Sequence, residues 1–299
     1  MDEADFLAAL RALPLHPGAL GLADDAARLG DLILTTDTVA EGVHFLSSDP
    51  AGDVAWKLVA VNLSDLAAKG AASEGVLLNY PLGDAGWDRA FLAGLGEVLR
   101  AFDCPLIGGD TVSLPAGAPR VLTITAIGRA AQAPGRAGAQ AGDVLYVTGN
   151  IGDAGAGLGI ARGAPGPAEL LAAYRRPVPR LAEGAALAPR VHAMMDVSDG
   201  LLIDAARMAA ASGLAVTVAL DAVPLSAAYR DFAGADRAAR LAAVTAGDDY
   251  QLLFAAAPDA VLPVPATPVG RFAPGAGLSI TDQGAPVALP ARLGFEHRG

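Results

Sequence analysis

Apolar residues follow two different spacings in the first half of the chain, and each spacing predicts one type of element. Short runs of branched apolar residues are typical of buried strands. Longer stretches in which apolar residues recur every three or four positions are typical of helices. The pattern predicts strands at 32–36, 75–80, 105–107 and 121–127, with helices at 54–68 and 87–102 between them.

The alternation restarts after residue 142. A strand at 143–148 runs into a glycine-rich turn at 149–157. The segment 130–142 is rich in Ala, Gly, Gln and Arg and has no apolar period, which indicates a connection between domains. Further on, the pattern predicts helices at 168–174, 180–188 and 200–211, a strand at 215–220 and short strands in the tail. We therefore predict an α/β (α+β) fold with two domains, residues 1–138 and 139–299.

Composition and charge exclude several classes of protein. The chain has 299 residues, 53% of them hydrophobic and 18% charged, so it can bury a large core. The formal net charge of −11 argues against nucleic acid as a partner, because binding to phosphate backbones needs clustered Lys and Arg. No apolar stretch reaches about 18 residues, so no membrane span is predicted. The N-terminus, Met1-Asp2-Glu3-Ala4-Asp5, is acidic where a secretory signal is basic, so we predict a cytoplasmic protein.

The glycine-rich turn does not match a known nucleotide-binding loop. Its glycines, Gly149, Gly152, Gly155 and Gly157, are out of register with G-x-G-x-x-G. A Walker A loop needs a lysine after the glycines, and neither lysine of the chain follows such a loop. The turn is interpreted as a strand-to-helix connection, whose amides could still contact a phosphate at a helix N-terminus.

Aspartates carry the strongest chemical signal, because they occur in apolar surroundings. Taken singly, each has a structural explanation: Asp65 could pair with Lys69 four residues later, and Ser198 or Asp199 could cap the helix that follows. Taken together, they leave more carboxylate charge than the few cations can offset, which favours a bound metal. Oxygen ligands from Asp and Thr favour Mg²⁺, and Mg²⁺ bridging carboxylates to phosphate indicates phosphoryl transfer or nucleotide activation. The residues concerned are Asp24, Asp25, Asp37, Asp65, Asp110, Asp196 and Asp199.

Seven short segments, five of which contain these aspartates, occur in a characteristic order. They are 21–27, 35–45, 62–68, 108–111, 146–149, 196–201 and 247–250, and they include Gly21-Leu22-Ala23-Asp24-Asp25, Asn62-Leu63-Ser64-Asp65, Gly108-Gly109-Asp110-Thr111 and Asp196-Val197-Ser198-Asp199-Gly200. In this order the segments resemble the thiamine-monophosphate kinase family, over nearly the whole chain from about residue 20. Each segment is a weak signal alone, but seven in order make the resemblance specific.

The resemblance implies the two-domain fold of the aminoimidazole-ribonucleotide-synthetase superfamily, with N-terminal domains that pair into a shared β-barrel in a homodimer. It implies ATP-dependent phosphorylation of thiamine monophosphate to thiamine diphosphate by direct in-line transfer, with Mg²⁺ as cofactor and no catalytic side chain. Carried over, the Mg²⁺ ligands are Asp25, Thr35, Thr36, Asp37, Asp65, Asp110, Asp196 and Asp199. ATP contacts are Gly109, Asp110, Arg136 and Ser198, and thiamine-monophosphate contacts are His44, Asp248 and Phe295.

The chain departs from the family pattern mainly at the substrate end. The family usually has glutamate at the positions of Asp248 and Gln251. It usually has an aromatic residue with a hydroxyl at the position of Phe295, and methionine at the position of Lys69. Two alternatives therefore stay open. One is another ATP-using member of the superfamily, similar to aminoimidazole-ribonucleotide synthetase, and the other is a nucleotide-binding regulator that has lost catalysis.

Overall fold

Two β-sheets, each with its own helices and hydrophobic core, make up the protein. A computed structural model describes residues 3–296. The first sheet is built from strands between residues 27 and 129, and the second from strands between residues 144 and 287. The intervening segment 130–142 contains no helix or strand, as predicted. The domain boundary after residue 138 stays a prediction.

The first sheet has five strands in the order β1-β2-β5-β3-β4. β3 and β4 are parallel and the other pairs are antiparallel. β4 lies at an edge and is exposed along its whole length, so the sheet of a single chain is open. The predicted shared barrel therefore stays a prediction. The strands are β1 (Ala27–Leu29), β2 (Leu32–Ala40), β3 (Ala72–Leu82), β4 (Leu106–Ser113) and β5 (Val121–Arg129).

Among the described residues of this half, one helix packs on the sheet and a second packs mainly on that helix. α3 (Ala85–Ala101) buries Phe91, Leu95 and Val98, one apolar stripe at helical spacing. α2 (Ala51–Ala68) is buried on nearly all sides, as expected for a helix that is apolar all round. It contacts β2, β5 and α3 on one side and the second half of the chain on the other. α1 (Glu3–Arg11) lies before the sheet in sequence.

The second sheet has seven strands in the order β12-β11-β8-β10-β6-β9-β7, and only β8 and β11 pair in parallel. α7 contacts β7, β8, β9 and β11 and closes the core that contains Leu145, Met208 and Phe272. The strands are β6 (Val144–Val147), β7 (Ala193–Asp196), β8 (Leu214–Ala219), β9 (Leu252–Ala256), β10 (Thr267–Pro274), β11 (Gly277–Asp282) and β12 (Ala285–Val287). The helices are α4 (Asp153–Ala161), α5 (Ala168–Arg175), α6 (Leu181–Leu187), α7 (Leu201–Ser212), α8 (Ala227–Ala233) and α9 (Arg237–Thr245).

α2 also holds the two halves together. Its last residues, Ala67 and Ala68, share a third apolar cluster with Met194 on β7 and Phe254 on β9. α6 approaches α2 so closely that a Cβ added at Gly184 would lie 2.0 Å from the carbonyl oxygen of Ala67. The junction between the halves therefore depends on a backbone contact that only glycine permits.

The predicted elements are present, with ends that differ by a few residues, but several helices were not predicted. α1, α8 and α9 were missed, and α4 begins inside the glycine-rich turn. Glycines disfavour helix in isolation. Here Gly157 lets α4 pack tightly, because a Cβ at this position would lie 1.9 Å from the carbonyl oxygen of Leu170. Within residues 3–296, no helix is long and apolar enough to cross a membrane.

We expect Gly184→Ala to lower the free energy of unfolding by about 1–3 kcal/mol, because the new methyl group forces α6 away from α2. Gly159→Ala is the matched control, since Gly159 is exposed on α4 and a Cβ there meets nothing within 4 Å. That substitution should stabilise the protein by roughly 0.5–1 kcal/mol through helix propensity. Urea unfolding measures both, and equal effects would contradict the close-contact account.

Candidate active site

Two consecutive residues of α2 face the two halves of the protein. The Ser64 hydroxyl lies 2.5 Å from Oδ2 of Asp196, at the end of β7 in the second half. The Asp65 carboxylate accepts a short hydrogen bond from the hydroxyl of Thr35, on β2 in the first half. α2 therefore brings an acidic residue from each half to the same point of the junction.

The alternation of side chains along β2 decides which of its predicted ligands face α2. Thr35 and Asp37 are two residues apart and lie on the same face of the strand. The Thr35 hydroxyl contacts Asp65, and the Asp37 amide donates to the side-chain oxygen of Asn62 on α2 at 2.9 Å. Thr36 points to the opposite face, where its hydroxyl donates to the carbonyl oxygen of Ile124 at 3.0 Å. If Thr36 binds Mg²⁺ as predicted, it would therefore do so through its backbone rather than its hydroxyl.

Three carboxylates at this junction carry no cationic partner within residues 3–296: Asp37, Asp65 and Asp196 form none of the ion pairs of the structure. Burial, and then Asp199 and Asp25, raise the pKa of Asp37 to about 6. Burial and the charge of Asp25 raise the pKa of Asp196 to about 8, and burial with Asp37, Asp196 and Asp25 raises the pKa of Asp65 well above 3.8. These three groups therefore form a site of uncompensated negative charge.

In contrast to these three residues, Asp25 is paired with two cations. Lys69 Nζ is 2.6 Å from its Oδ2, and the guanidinium of Arg136 pairs with its Oδ1. Burial raises the pKa of Asp25, but the charges of Lys69 and Arg136 outweigh it and hold the pKa below 3.8. Lys69 also pairs with Asp24, so the predicted Asp65–Lys69 pair is wrong. Lys69 follows the last helical residue of α2, and its side chain reaches the loop before β1 instead of the helix surface.

The loop after β7 is fixed by a residue that the sequence analysis missed. Asp204, fully buried on α7, accepts the amides of Ser198 and Asp199, both at 3.1 Å. Arg207 joins Asp204 at 2.9 Å and Asp199 at 2.5 Å. The alternative in which Ser198 or Asp199 caps α7 is not observed. The N-cap of α7 is Gly200, which has no capping side chain. The signal was available, since Asp204 interrupts the apolar start of a helix.

The predicted substrate residues fall into two places. The Asp248 carboxylate lies 2.7 Å from Lys57 Nζ, and the same ammonium donates to the carbonyl oxygen of His44 at 3.0 Å. Lys57 thus joins His44 to Asp248 and was missed as a functional residue, although it lies inside an apolar helix. Phe295 is elsewhere, with its amide donating to the carbonyl oxygen of Asp199 at 2.9 Å. The structure therefore places Phe295 next to Asp199, one residue after Ser198, whose carbonyl oxygen accepts the Asp248 amide.

Gly109 and Asp110 lie on the edge strand β4. A Cβ at Gly109 would be 1.9 Å from the carbonyl oxygen of Leu78, so this glycine permits β4 to approach β3. Asp110 is exposed and pairs in register with Asn79. The charges that raise the pKa of Asp37, Asp65 and Asp196 do not include Asp110. Its roles toward ATP and metal stay predictions.

The acidic residues fit Mg²⁺ held together with a nucleotide better than a metal held by protein alone. Among residues 3–296, no three His, Cys, Asp or Glu side chains are grouped to hold a metal ion as they stand. Mg²⁺ usually takes only one or two carboxylates and completes its shell with phosphate oxygens and water. Uncompensated oxygen donors at Asp37, Asp65 and Asp196 suit that mode of binding.

One pocket contacts Lys69, which pairs with Asp25, and a larger one lies away from it. The first, of about 410 Å³, is lined by Asp24, Lys69 and apolar residues of the connection, including Ala133 and Pro134. The other, of about 890 Å³, lies beside the loop that carries His44 and is lined by Glu41, Arg120 and Arg162, among others. The carboxylates of Asp37, Asp65 and Asp196 line neither pocket, so cavity volume alone does not locate the acidic site.

The sequence and the fold are similar to those of known proteins. Residues 23–130 match the N-terminal domain of AIR synthase related protein, and residues 140–283 match its C-terminal domain. The chain is 39% identical to thiamine-monophosphate kinase of Caulobacter vibrioides, over 94% of this chain and 86% of the relative. The crystal structure of thiamine-monophosphate kinase from Stenotrophomonas maltophilia K279a is 38% identical, with a TM-score of 0.77 and coverage of 95% and 96%. AaThiL complexed with AMPPCP and TMP is 28% identical, with a TM-score of 0.83 and coverage of 96% and 99%.

The two domain matches assign the chain to the AIR synthase related proteins. Within that class, the chain belongs to the thiamine-monophosphate kinase family.

The raised pKa values lead to an expected pH dependence of stability. A carboxyl group whose pKa is higher in the folded state binds more protons there, so stability falls as pH rises from its unfolded to its folded pKa. For Asp196 this window runs from about 3.8 to about 8, and for Asp37 from 3.8 to about 6. Without divalent cations, we expect the free energy of unfolding to decrease between pH 5 and pH 8.

Asp196→Asn should flatten this decrease, by at most about 1.4 kcal/mol per pH unit. Urea unfolding of both proteins at several pH values, in the presence of a chelator, measures the slopes. Parallel slopes would show that Asp196 is not a buried, uncompensated carboxylate.

Proposed function

We propose that this protein transfers the γ-phosphoryl group of ATP to thiamine monophosphate, giving thiamine diphosphate and ADP. A phosphate oxygen of thiamine monophosphate attacks the γ-phosphorus, and the bond from that phosphorus to the β–γ bridging oxygen breaks. Such transfer depends on positioning and on neutralising charge, so it needs no nucleophilic side chain. Membership of the family and the AaThiL complex with AMPPCP and TMP support this activity.

The observation that carries the proposal is the uncompensated charge at the junction of the two halves. Asp37 and Asp65 come from the first half and Asp196 from the second, and the pKa of each is raised by burial and then by neighbouring carboxylates that include Asp25. In our proposal they hold Mg²⁺ with the ATP phosphates, with Asp199, Asp110 and the threonines of β2 as further oxygen donors. Bound Mg²⁺ would neutralise the charge that develops on the transferred group and orient it.

Residues of the second half would position the nucleotide. Asp204 holds the Ser198 and Asp199 amides on one side of their loop. The other side is held by the Asp248 amide, which donates to the carbonyl oxygen of Ser198 at 2.8 Å. A loop fixed from both sides can present Ser198 to ATP without a large loss of entropy. Arg136, whose buried Nε has no partner within residues 3–296, could use this donor toward a phosphate after a small shift.

The acceptor end is proposed at Lys57, His44 and Asp248, with Phe295 against the organic part of the substrate. The 2.7 Å pair between Lys57 and Asp248 keeps a cation close to the loop that carries Ser198. The ring of Tyr174 lies 4.1 Å from the same ammonium and restricts its position. The shorter Asp248 side chain is compatible with this arrangement because its partner Lys57 reaches it directly.

We also propose a homodimer in which the first sheets of two chains pair into the shared barrel. β4 has an open edge, and Leu106, Ile107 and Val112 on it are about half exposed. An exposed apolar edge strand is a liability in a monomer and is normally covered by a partner. Light scattering that gave the mass of a single chain at micromolar concentration would contradict this proposal.

We expect purified protein with ATP, Mg²⁺ and thiamine monophosphate to form thiamine diphosphate and ADP in equal amounts, measured by chromatography of both products. Asp65→Asn should reduce kcat by at least about 100-fold, because it removes a charge that acts on the transferred group. The fold should remain, since the change neutralises a buried carboxylate.

Lys57→Met serves as the comparison at the acceptor end, and we expect it to raise KM for thiamine monophosphate more than KM for ATP. Tight binding of ATP without any diphosphate product would instead favour a regulator that has lost catalysis. ADP release with a different phosphorylated acceptor would favour another superfamily activity.

A further inference from the structure

Lys69 occupies a position that resembles a cation site made of oxygen atoms. The side chain is 4% exposed. Its ammonium contacts the carboxylates of Asp24 and Asp25, the latter at 2.6 Å. Carbonyl oxygens complete the surroundings, that of Met194 at 3.2 Å and that of Pro134 at 3.4 Å. Two carboxylates and two carbonyls are the ligands that a hard divalent cation would take from a protein.

The charges around this point balance without any bound ion. Asp24 and Asp25 contribute two negative charges, and Lys69 and Arg136 contribute two positive ones within direct contact. Two backbone amides also fix the Asp24 carboxylate: the Asp25 amide donates to Oδ1 at 2.9 Å and the Arg136 amide donates to Oδ2 at 3.3 Å. In contrast, the carboxylates of Asp65 and Asp196 accept hydrogen bonds from the neutral hydroxyls of Thr35 and Ser64, and within residues 3–296 Asp37 forms no ion pair. The acidic residues therefore divide into a compensated end and an uncompensated end.

We infer that the Lys69 ammonium replaces a divalent cation at Asp24 and Asp25, so that this end of the site binds no metal ion. Divalent cations then bind only at the uncompensated end, around Asp37, Asp65 and Asp196. The inference rests on the magnesium binding of the proposed function. It assigns Lys69 as a positioning residue, because it acts on the reaction through the placement of Asp25 and the number of ions in the site.

Removing the ammonium should open this position to a metal ion. A methionine has nearly the length of lysine but no charge, so Lys69→Met would leave Asp24 and Asp25 with Arg136 alone. A buried carboxylate without a cation is strongly destabilising. A divalent ion would supply the lost positive charge and one more, and the oxygen atoms around it are already in place.

The test counts Mn²⁺ ions bound per chain, by electron paramagnetic resonance of the free ion, in the presence of saturating AMPPCP. We expect Lys69→Met to bind one more Mn²⁺ per chain than the original protein. Its melting temperature should also rise more steeply with Mn²⁺ concentration. An unchanged count in Lys69→Met overturns the inference.

Two control variants separate the charge of Lys69 from other effects of substitution. Lys69→Arg keeps the charge and should keep the original count. Lys57→Met makes the same chemical change inside α2, but the Lys57 ammonium contacts Asp248 rather than Asp25, so the count should also stay the same. A gain of one ion in both methionine variants would overturn the inference, because it would not depend on Asp24 and Asp25.

Asp25→Asn decides the question if Lys69→Met does not fold. The inference expects Asp25→Asn to keep the original Mn²⁺ count, since Asp25 holds no ion, and the loss of one ion would overturn it. If the original protein binds no Mn²⁺ with AMPPCP, the magnesium part of the proposed function fails. The inference about Lys69 is then still decided by whether Lys69→Met gains an ion.

Discussion

Carboxylates buried between two domains raise the free energy of a protein unless cations accompany them, and the rest of this structure is arranged around that constraint. Some of the acidic groups have cationic partners: Asp24 and Asp25 are compensated by Lys69 and Arg136, and Asp199 and Asp204 share Arg207. Within residues 3–296, Asp37, Asp65 and Asp196 have no such cation: neutral hydroxyls donate to the carboxylates of Asp65 and Asp196, and the Asp37 amide donates to Asn62. These carboxylates therefore favour the binding of a cation together with phosphate.

α2 makes this arrangement possible because it belongs to both halves. Its apolar surface is covered by the first sheet on one side and by α6 and β7 on the other, which fixes its rotation. With the rotation fixed, Ser64 must face Asp196 and Asp65 must face Thr35. Stability and chemistry are coupled here, since a shift of α2 against α6 would change the distance between the carboxylates of the two halves. Gly184 maintains that distance, because it allows α6 to lie close to α2.

Much of the fold could be predicted from apolar periodicity, and the remainder depended on contacts that periodicity does not report. α4 contains three glycines and forms because Gly157 fits against Leu170. Asp37, Asp65 and Asp196 could be selected from the sequence because each interrupts an apolar run. The partner of Lys69 could not be selected from the sequence. Residues four apart pair on the surface of a helix, and Lys69 lies just beyond the last turn of α2. The orientation of Thr36 was predictable from strand alternation, whereas the Lys57–Asp248 pair joins residues far apart in sequence.

The central claim is that carboxylates from the two halves bind one Mg-nucleotide together. A double-mutant cycle tests it directly, with Asp65→Asn, Asp196→Asn and the double variant titrated calorimetrically with AMPPCP in the presence of Mg²⁺. If both residues serve one site, the two losses of binding free energy are not additive, and the coupling exceeds about 0.5 kcal/mol. Losses that add within roughly 0.3–0.5 kcal/mol, or no loss from either change, would contradict the account.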